Sequence, residues 1–176
     1  MDCHDRYSRM AALLVCGLLA CDSGADEEDF GETSTRLSGH LGELGDLKPT
    51  VSSLVIENSG EVLIYMSSST LTCAELMVSR WLGGVAAGAQ VVEIVVPSER
   101  AVADVAVDVE PGGAEVNYAL GGKSSAYEKS AIAGHVTFTK TLPGTVEGTF
   151  TATYAADADS VKGRFQAAFC AAGQGY

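Results

Sequence analysis

"VEGTFTATY", residues 146–154, and "VKGRFQAAF", residues 161–169, share the pattern V-x-G-x-F-x-A-x-aromatic at an offset of fifteen residues. Successive side chains of a strand point to opposite faces. Val146, Phe150 and Tyr154 therefore share one face, as do Val161, Phe165 and Phe169, while Thr, Glu, Lys, Arg and Gln take the other. Gly148 and Gly163 fall on the apolar face, where a missing side chain admits a bulky neighbour, expected here from an opposing sheet. Joined by "AADADS", the two segments read as an antiparallel hairpin. Pairing Tyr154 with Val161, Phe150 with Phe165 and Val146 with Phe169 gives apolar cross-strand neighbours.

Working outward from the hairpin, most of the preceding chain also reads as strands. "SSLVIEN" (52–58) and "EVLIYMSS" (61–68) are rich in β-branched and aromatic residues and flank the turn chemistry of Asn58-Ser59-Gly60. "QVVEIVVP" (90–97) is nearly continuous apolar sequence stopped by Pro97. "VADVAVDVE" (102–110), "AEVNYAL" (114–120) and "AIAGHVTFTKTL" (131–142) follow, punctuated by Pro111-Gly112-Gly113, Gly121-Gly122 and Pro143-Gly144. One segment breaks the pattern. In "TLTCAELMVSRWL" (70–82), Thr72 is placed as an N-cap, Glu75 three residues later completes a capping box, and Gly83-Gly84 ends a short helix. About eight strands and one helix predict a mainly β domain over residues 35–176, an antiparallel β-sandwich or flattened barrel.

The N-terminus has a different character. In "LLVCGLLACDSG" (13–24) the apolar run ends, and Met10 to Ala20 carries no charge behind Arg6 and Arg9. Eleven residues are too few for a transmembrane helix, which needs roughly 20, but they suit a secretory signal over residues 1–20. Leu18-Leu19-Ala20-Cys21 resembles the lipobox of bacterial lipoproteins. That resemblance implies cleavage before Cys21 and acylation of its thiol; an ordinary cleaved signal is the alternative. "DSGADEEDFGE" (22–32) holds six acidic residues and no basic one, so residues 21–34 read as an acidic flexible tether. Asp22 resembles an inner-membrane retention signal of enteric bacteria, which leaves inner or outer membrane undecided.

Cleavage would leave 156 residues (176 − 20), enough for one domain with its own core. The segment removed carries Asp2, Asp5, Arg6 and Arg9, so the net charge of −12 is unchanged. Nine scattered Lys and Arg (11 − 2) exclude nucleic acid as an expected partner. Cys3 and Cys16 leave with the signal and Cys21 takes the lipid, so Cys73 and Cys170 remain as an expected disulfide of an exported protein. Two free buried thiols, or a zinc site needing further ligands where only His40 and His135 remain as histidines, are the alternatives.

The order of these features is similar to that of uncharacterised lipoproteins of the myxobacterial type. Cys73, Gly144-Thr145-Val146, Gly148-Thr149-Phe150 and the closing Gly163 to Cys170 carry the resemblance, over roughly residues 60–170. It implies a lipid-anchored β domain and brings no catalytic residues.

Chemical motifs are sparse. "NYALGGKS" (117–124) matches a phosphate-binding loop at Gly122, Lys123 and Ser124, but Asn117 stands where the first glycine belongs and the surroundings are β-rich, so a plain loop is expected. Asp157 and Asp159 resemble the start of a calcium loop, but the pattern fails at Val161 and Lys162, and a solvated turn is expected. Asp104, Asp108 and Glu110 read as an exposed strand face. His40 and His135 lack Cys or Asp at metal-ligand or triad spacing, and no G-x-S-x-G elbow occurs. Trp81, Tyr65, Tyr118 and Tyr127 are candidates for a ligand-binding face or for core. The expected function is therefore a lipid-anchored envelope or cell-surface domain contacting protein or glycan, without cofactor. A carbohydrate- or small-ligand-binding module and a surface hydrolase are the alternatives.

Overall fold

The computed structural model describes residues 35–78, 85–101, 104–107, 112–122, 128–142, 144–154 and 159–170. In chain order the strands are β1 (Arg36–His40), β2 (Ser52–Asn58), β3 (Glu61–Ser67), β4 (Gln90–Pro97), β5 (Asp104–Val107), β6 (Glu115–Leu120), β7 (Lys129–Ser130), β8 (Ala133–Leu142), β9 (Thr145–Thr153) and β10 (Ser160–Phe169). Among the described residues one α-helix, α1 (Cys73–Val78), follows β3. The domain is mainly β, as expected.

The strands form one curled sheet in the order β5-β8-β9-β10-β2-β3-β4-β6-β7, with β1 also against β10. It is mixed, which corrects the expectation of a purely antiparallel sheet. β10 and β2 run parallel through Ala168↔Leu54 and Phe169↔Val55. The reason lies in β1, which pairs antiparallel with the first half of the same β10 edge, Arg36↔Arg164 to His40↔Ser160. The chain then reverses through residues 41–51 and returns to that edge in the opposite direction. The curl brings the sheet round on itself: Val107 and Ala114 form a bridge, and Ala114 N–H donates to the Ala106 carbonyl at 2.9 Å. The result is a partial barrel.

Alternation explains which faces are buried. Val62, Ile64 and Met66 of β3, Val92, Ile94 and Val96 of β4, and Val116 and Tyr118 of β6 point into the main core with Phe150, Phe165 and Tyr154. The outward residues of β2 to β4 are covered too: Ile56, Tyr65 and Val91 form a second cluster with Leu71, Leu76 and Cys170 beneath α1. Burial on both faces is why β4 reads as a nearly continuous apolar run, broken by Glu93. The β2–β3 turn has positive φ at Ser59 (54°) and Gly60 (87°), the primed geometry that matches strand twist.

The helix begins with the expected capping box. Glu75 N–H donates to Thr72 Oγ1 at 3.2 Å, and Thr72 N–H donates to Glu75 Oε2 at 2.8 Å. Thr72→Ala should cost about 1 kcal/mol, read as a lower urea midpoint at unchanged slope. Residues 79–84, the expected end of the helix, lie outside the described residues.

The β9–β10 hairpin forms, but its register is two residues from the one expected. Phe150 faces Gly163 and Phe165 faces Gly148, while Val161 faces Ala152 and Val146 faces Ala167. Each phenylalanine thus lies over the glycine of its partner strand. A Cβ on Gly148 would come within 3.0 Å of Phe165 Cε2, and one on Gly163 within 2.9 Å of Phe150 Cε1. The bulky neighbour is the cross-strand aromatic, not a residue of an opposing sheet. This aromatic-on-glycine packing avoids the crowding of two phenylalanines directly opposite. Phe165 also meets Phe138 edge-on, centroids 5.8 Å apart.

Candidate functional site

The polar groups of the interior gather at one end of the barrel. β6 turns Tyr118 inward, and its cross-strand partner on β7 is Lys129, which shares that face. Period two along β10 puts Asp159 on the same side as Val161 and Phe165. Its carbonyl accepts from Tyr154 N–H at 2.9 Å, which extends the hairpin ladder by one pair. Lys129 Nζ makes a direct ion pair with Asp159 Oδ2, the aspartate side chain being 2% exposed and the lysine 28%. Asp159 is therefore a buried, paired carboxylate, which corrects the expectation of a solvated turn. Asp157 lies outside the described residues.

Residues 41–48 close this end as a plug. Leu41 is fully buried, with Leu44 and Leu47 packed on the same core. Gln90 holds the plug by its side chain: Oε1 accepts from Lys48 N–H at 2.6 Å and Nε2 donates to the Asp46 carbonyl at 3.4 Å. Gly42 sits over the ion pair, where a Cβ would lie 3.1 Å from Asp159 Oδ1. Its positive φ of 54° is the second reason for glycine there.

Beneath the plug, the hydroxyls of Tyr118 and Tyr154 are buried without a hydrogen-bond partner. Burial raises the Tyr154 phenol well above its ordinary value, and the neighbouring Tyr118 raises it further. Tyr118 is raised by burial as well; the Gln90 side chain, near but outside hydrogen-bonding geometry, lowers it, and Glu128 raises it. An unpartnered buried hydroxyl costs its desolvation. Tyr154→Phe should therefore be neutral to about 1 kcal/mol stabilising at pH 7. A phenol raised in the folded state ionises first in the unfolded chain, so its contribution is intact below about pH 10 and falls as pH rises above it. Urea midpoints measured from pH 7 to 11 should fall less steeply for Tyr154→Phe than for the parent.

On the opposite side of the sheet, Asn117 Nδ2 donates to the buried Glu93 Oε2 at 3.4 Å, a second buried polar pair. Cys73, the first residue of α1, and Cys170, just past β10, lie at disulfide-bonding distance with Cα atoms 5.3 Å apart. Cys170 is set there by its N–H, which donates to the Val55 carbonyl at 2.8 Å.

The histidines do have aspartate neighbours, which their sequence spacing did not reveal. His40 Nδ1 lies 2.9 Å from Asp46 Oδ1, and His135 Nδ1 lies 3.8 Å from Asp104 Oδ2. Ser160 is the cross-strand partner of His40, so Ser160, His40 and Asp46 share a surface. The Asp46 side chain is 88% exposed, however, without the burial that lets a triad carboxylate orient its imidazole. Asp104 is exposed and accepts from Thr137 Oγ1 at 2.8 Å. No group of three or more metal-ligating side chains occurs among the described residues.

Of the four aromatic candidates, Tyr65 and Tyr118 are core residues, whereas Trp81 and Tyr127 lie outside the described residues. So do Cys21, Asp108, Glu110, Lys123 and Ser124. β6 ends at Leu120 and leads into a turn through Gly121 and Gly122. Comparison with protein-family models, curated proteins and solved structures finds no match.

Proposed function

We propose that the protein is an exported domain, anchored by a lipid on Cys21, that acts without catalysis as an envelope or cell-surface component contacting protein or glycan. The observation that carries this reading is the pairing of Cys73 with Cys170. They are the two cysteines left after the lipobox-like Cys21, and the fold brings them to bonding distance across 97 residues. Disulfides persist in oxidising compartments, which a chain with a signal-like N-terminus would reach. Among the described residues no helix is long and apolar enough to cross a membrane, and the exposed large apolar residues are Val51 and Ile132. The contacts proposed are accordingly polar, with attachment left to the lipid.

Intact mass of detergent-extracted native protein, with and without reduction and alkylation, tests the reading. The expected mass is that of residues 21–176 plus acyl groups, less two hydrogens until reduction. An unlipidated mass removes the anchor, and thiols that alkylate without reduction remove the disulfide and the export argument with it.

A small-ligand module is the second reading. Its support is the pair of unpartnered hydroxyls beneath the plug rather than an exposed aromatic platform. It predicts that a polyol or sugar raises the melting temperature of the parent but not of Tyr118→Phe/Tyr154→Phe.

A further inference from the structure

We propose that Lys129 and Asp159 are joined by an intramolecular amide bond that the folded protein forms by itself. The two groups come from separate parts of the chain and meet inside the barrel end. Each backbone is fixed by a ladder. Glu128 N–H donates to the Tyr118 carbonyl and Ala131 N–H to the Val116 carbonyl, both at 2.8 Å, which locks β7 on β6. Asp159 is locked by its backbone pairing with Tyr154. The amine and the carboxyl are thus held in contact by rigid elements, the arrangement in which an intramolecular reaction gains the most over its bimolecular counterpart.

An ion pair taken out of water loses the solvation of both charges, and the Asp159 side chain is 2% exposed. Passage of one proton from Lys129 to Asp159 gives a neutral amine beside a neutral acid. The amine lone pair adds to Cγ of Asp159, forming the C–N bond. A proton then moves from nitrogen to the departing hydroxyl, the C–O bond breaks, and one water leaves. The balance is ammonium plus carboxylate giving amide plus water, with no oxidant or other co-reactant. Gly42 packs over the pair.

The bond would close a loop containing β8 and β9, and would clamp β7 to the turn before β10. It stands independently of the lipid anchor, because it predicts a deficit of one water whatever the N-terminus or acylation. The experiment is intact mass and tryptic mapping of the full-length native chain, beside Lys129→Arg, which keeps the charge but removes the amine. In the parent we expect a mass lower by one water, resistance to trypsin after Lys129, and a branched peptide joining residues 124–140 to 141–162. Lys129→Arg should have its full calculated mass. Parent protein at its full calculated mass, cleaved after Lys129 with no branched peptide, overturns the proposal and leaves an ion pair. The parent map decides the matter even if the variant does not fold.

Discussion

Replacing Cys73 and Cys170 together by alanine is expected to lower stability by about 4–5 kcal/mol, the chain-entropy value for closing a loop of this length. The span is 97 residues, and the linkage ties the start of α1 to the end of β10. For a domain of this size the melting temperature should fall by roughly 10–20 °C. Alanine leaves small voids in the cluster around Leu71, Leu76 and Val85, so part of the loss will be packing rather than entropy. The parent under reductant separates the two terms: it should lose most of the stability while keeping both sulfur atoms in place. An unchanged melting temperature in both samples would show that the thiols are not joined in the folded protein.

Phe165→Ala is expected to cost about 3–5 kcal/mol, the range for truncating a fully buried aromatic. The ring lies over Gly148 and against the edge of Phe138, so its loss opens a cavity in the middle of the main core. Gly148→Ala tests the same contact from the other side. Its new methyl group would meet both the Phe165 ring and the Thr137 carbonyl oxygen. In the Phe165→Ala background the ring is gone but the carbonyl remains. Gly148→Ala should then be milder, still unfavourable, and non-additive with Phe165→Ala. Urea denaturation of the four proteins gives the coupling. Simple additivity would mean that Phe165 does not rest on Gly148, and the hairpin register would have to move.

These two cases mark how far the sequence could be read. The period-two patterns of residues 146–154 and 161–169 correctly placed the apolar faces, because burial is decided locally by alternation. Register is a property of two strands together. Maximising apolar pairs favoured Phe150 opposite Phe165, whereas the fold seats each ring on a glycine. The parallel contact between β10 and β2 was illegible for a similar reason: it depends on where β1 lies on a distant strand. Asp159 was partly legible. It lies two residues before Val161 and so shares the apolar face, a signal that the acidic company of "AADADS" obscured. Its partner Lys129 belongs to a two-residue strand, too short for any periodicity to show. The capping box at Thr72 and Glu75 was fully legible, since both residues act within a single turn.

The sharing of one β10 edge by β1 and β2 bears on the order in which the domain can assemble. β10, the last of the described strands, lies inside the sheet, and its neighbours on that edge are the first two described strands. Such long sequence separations raise contact order and slow folding. A chain appearing N-terminus first would hold β1 and β2 with an open edge until residue 169 emerged. β2, β3 and β4 form a local meander that can pair early, but β1 has no sheet to join before β10 arrives. Closure of the sheet around β1 is thus tied to the arrival of residues 160–169, however early the β2–β4 meander has paired.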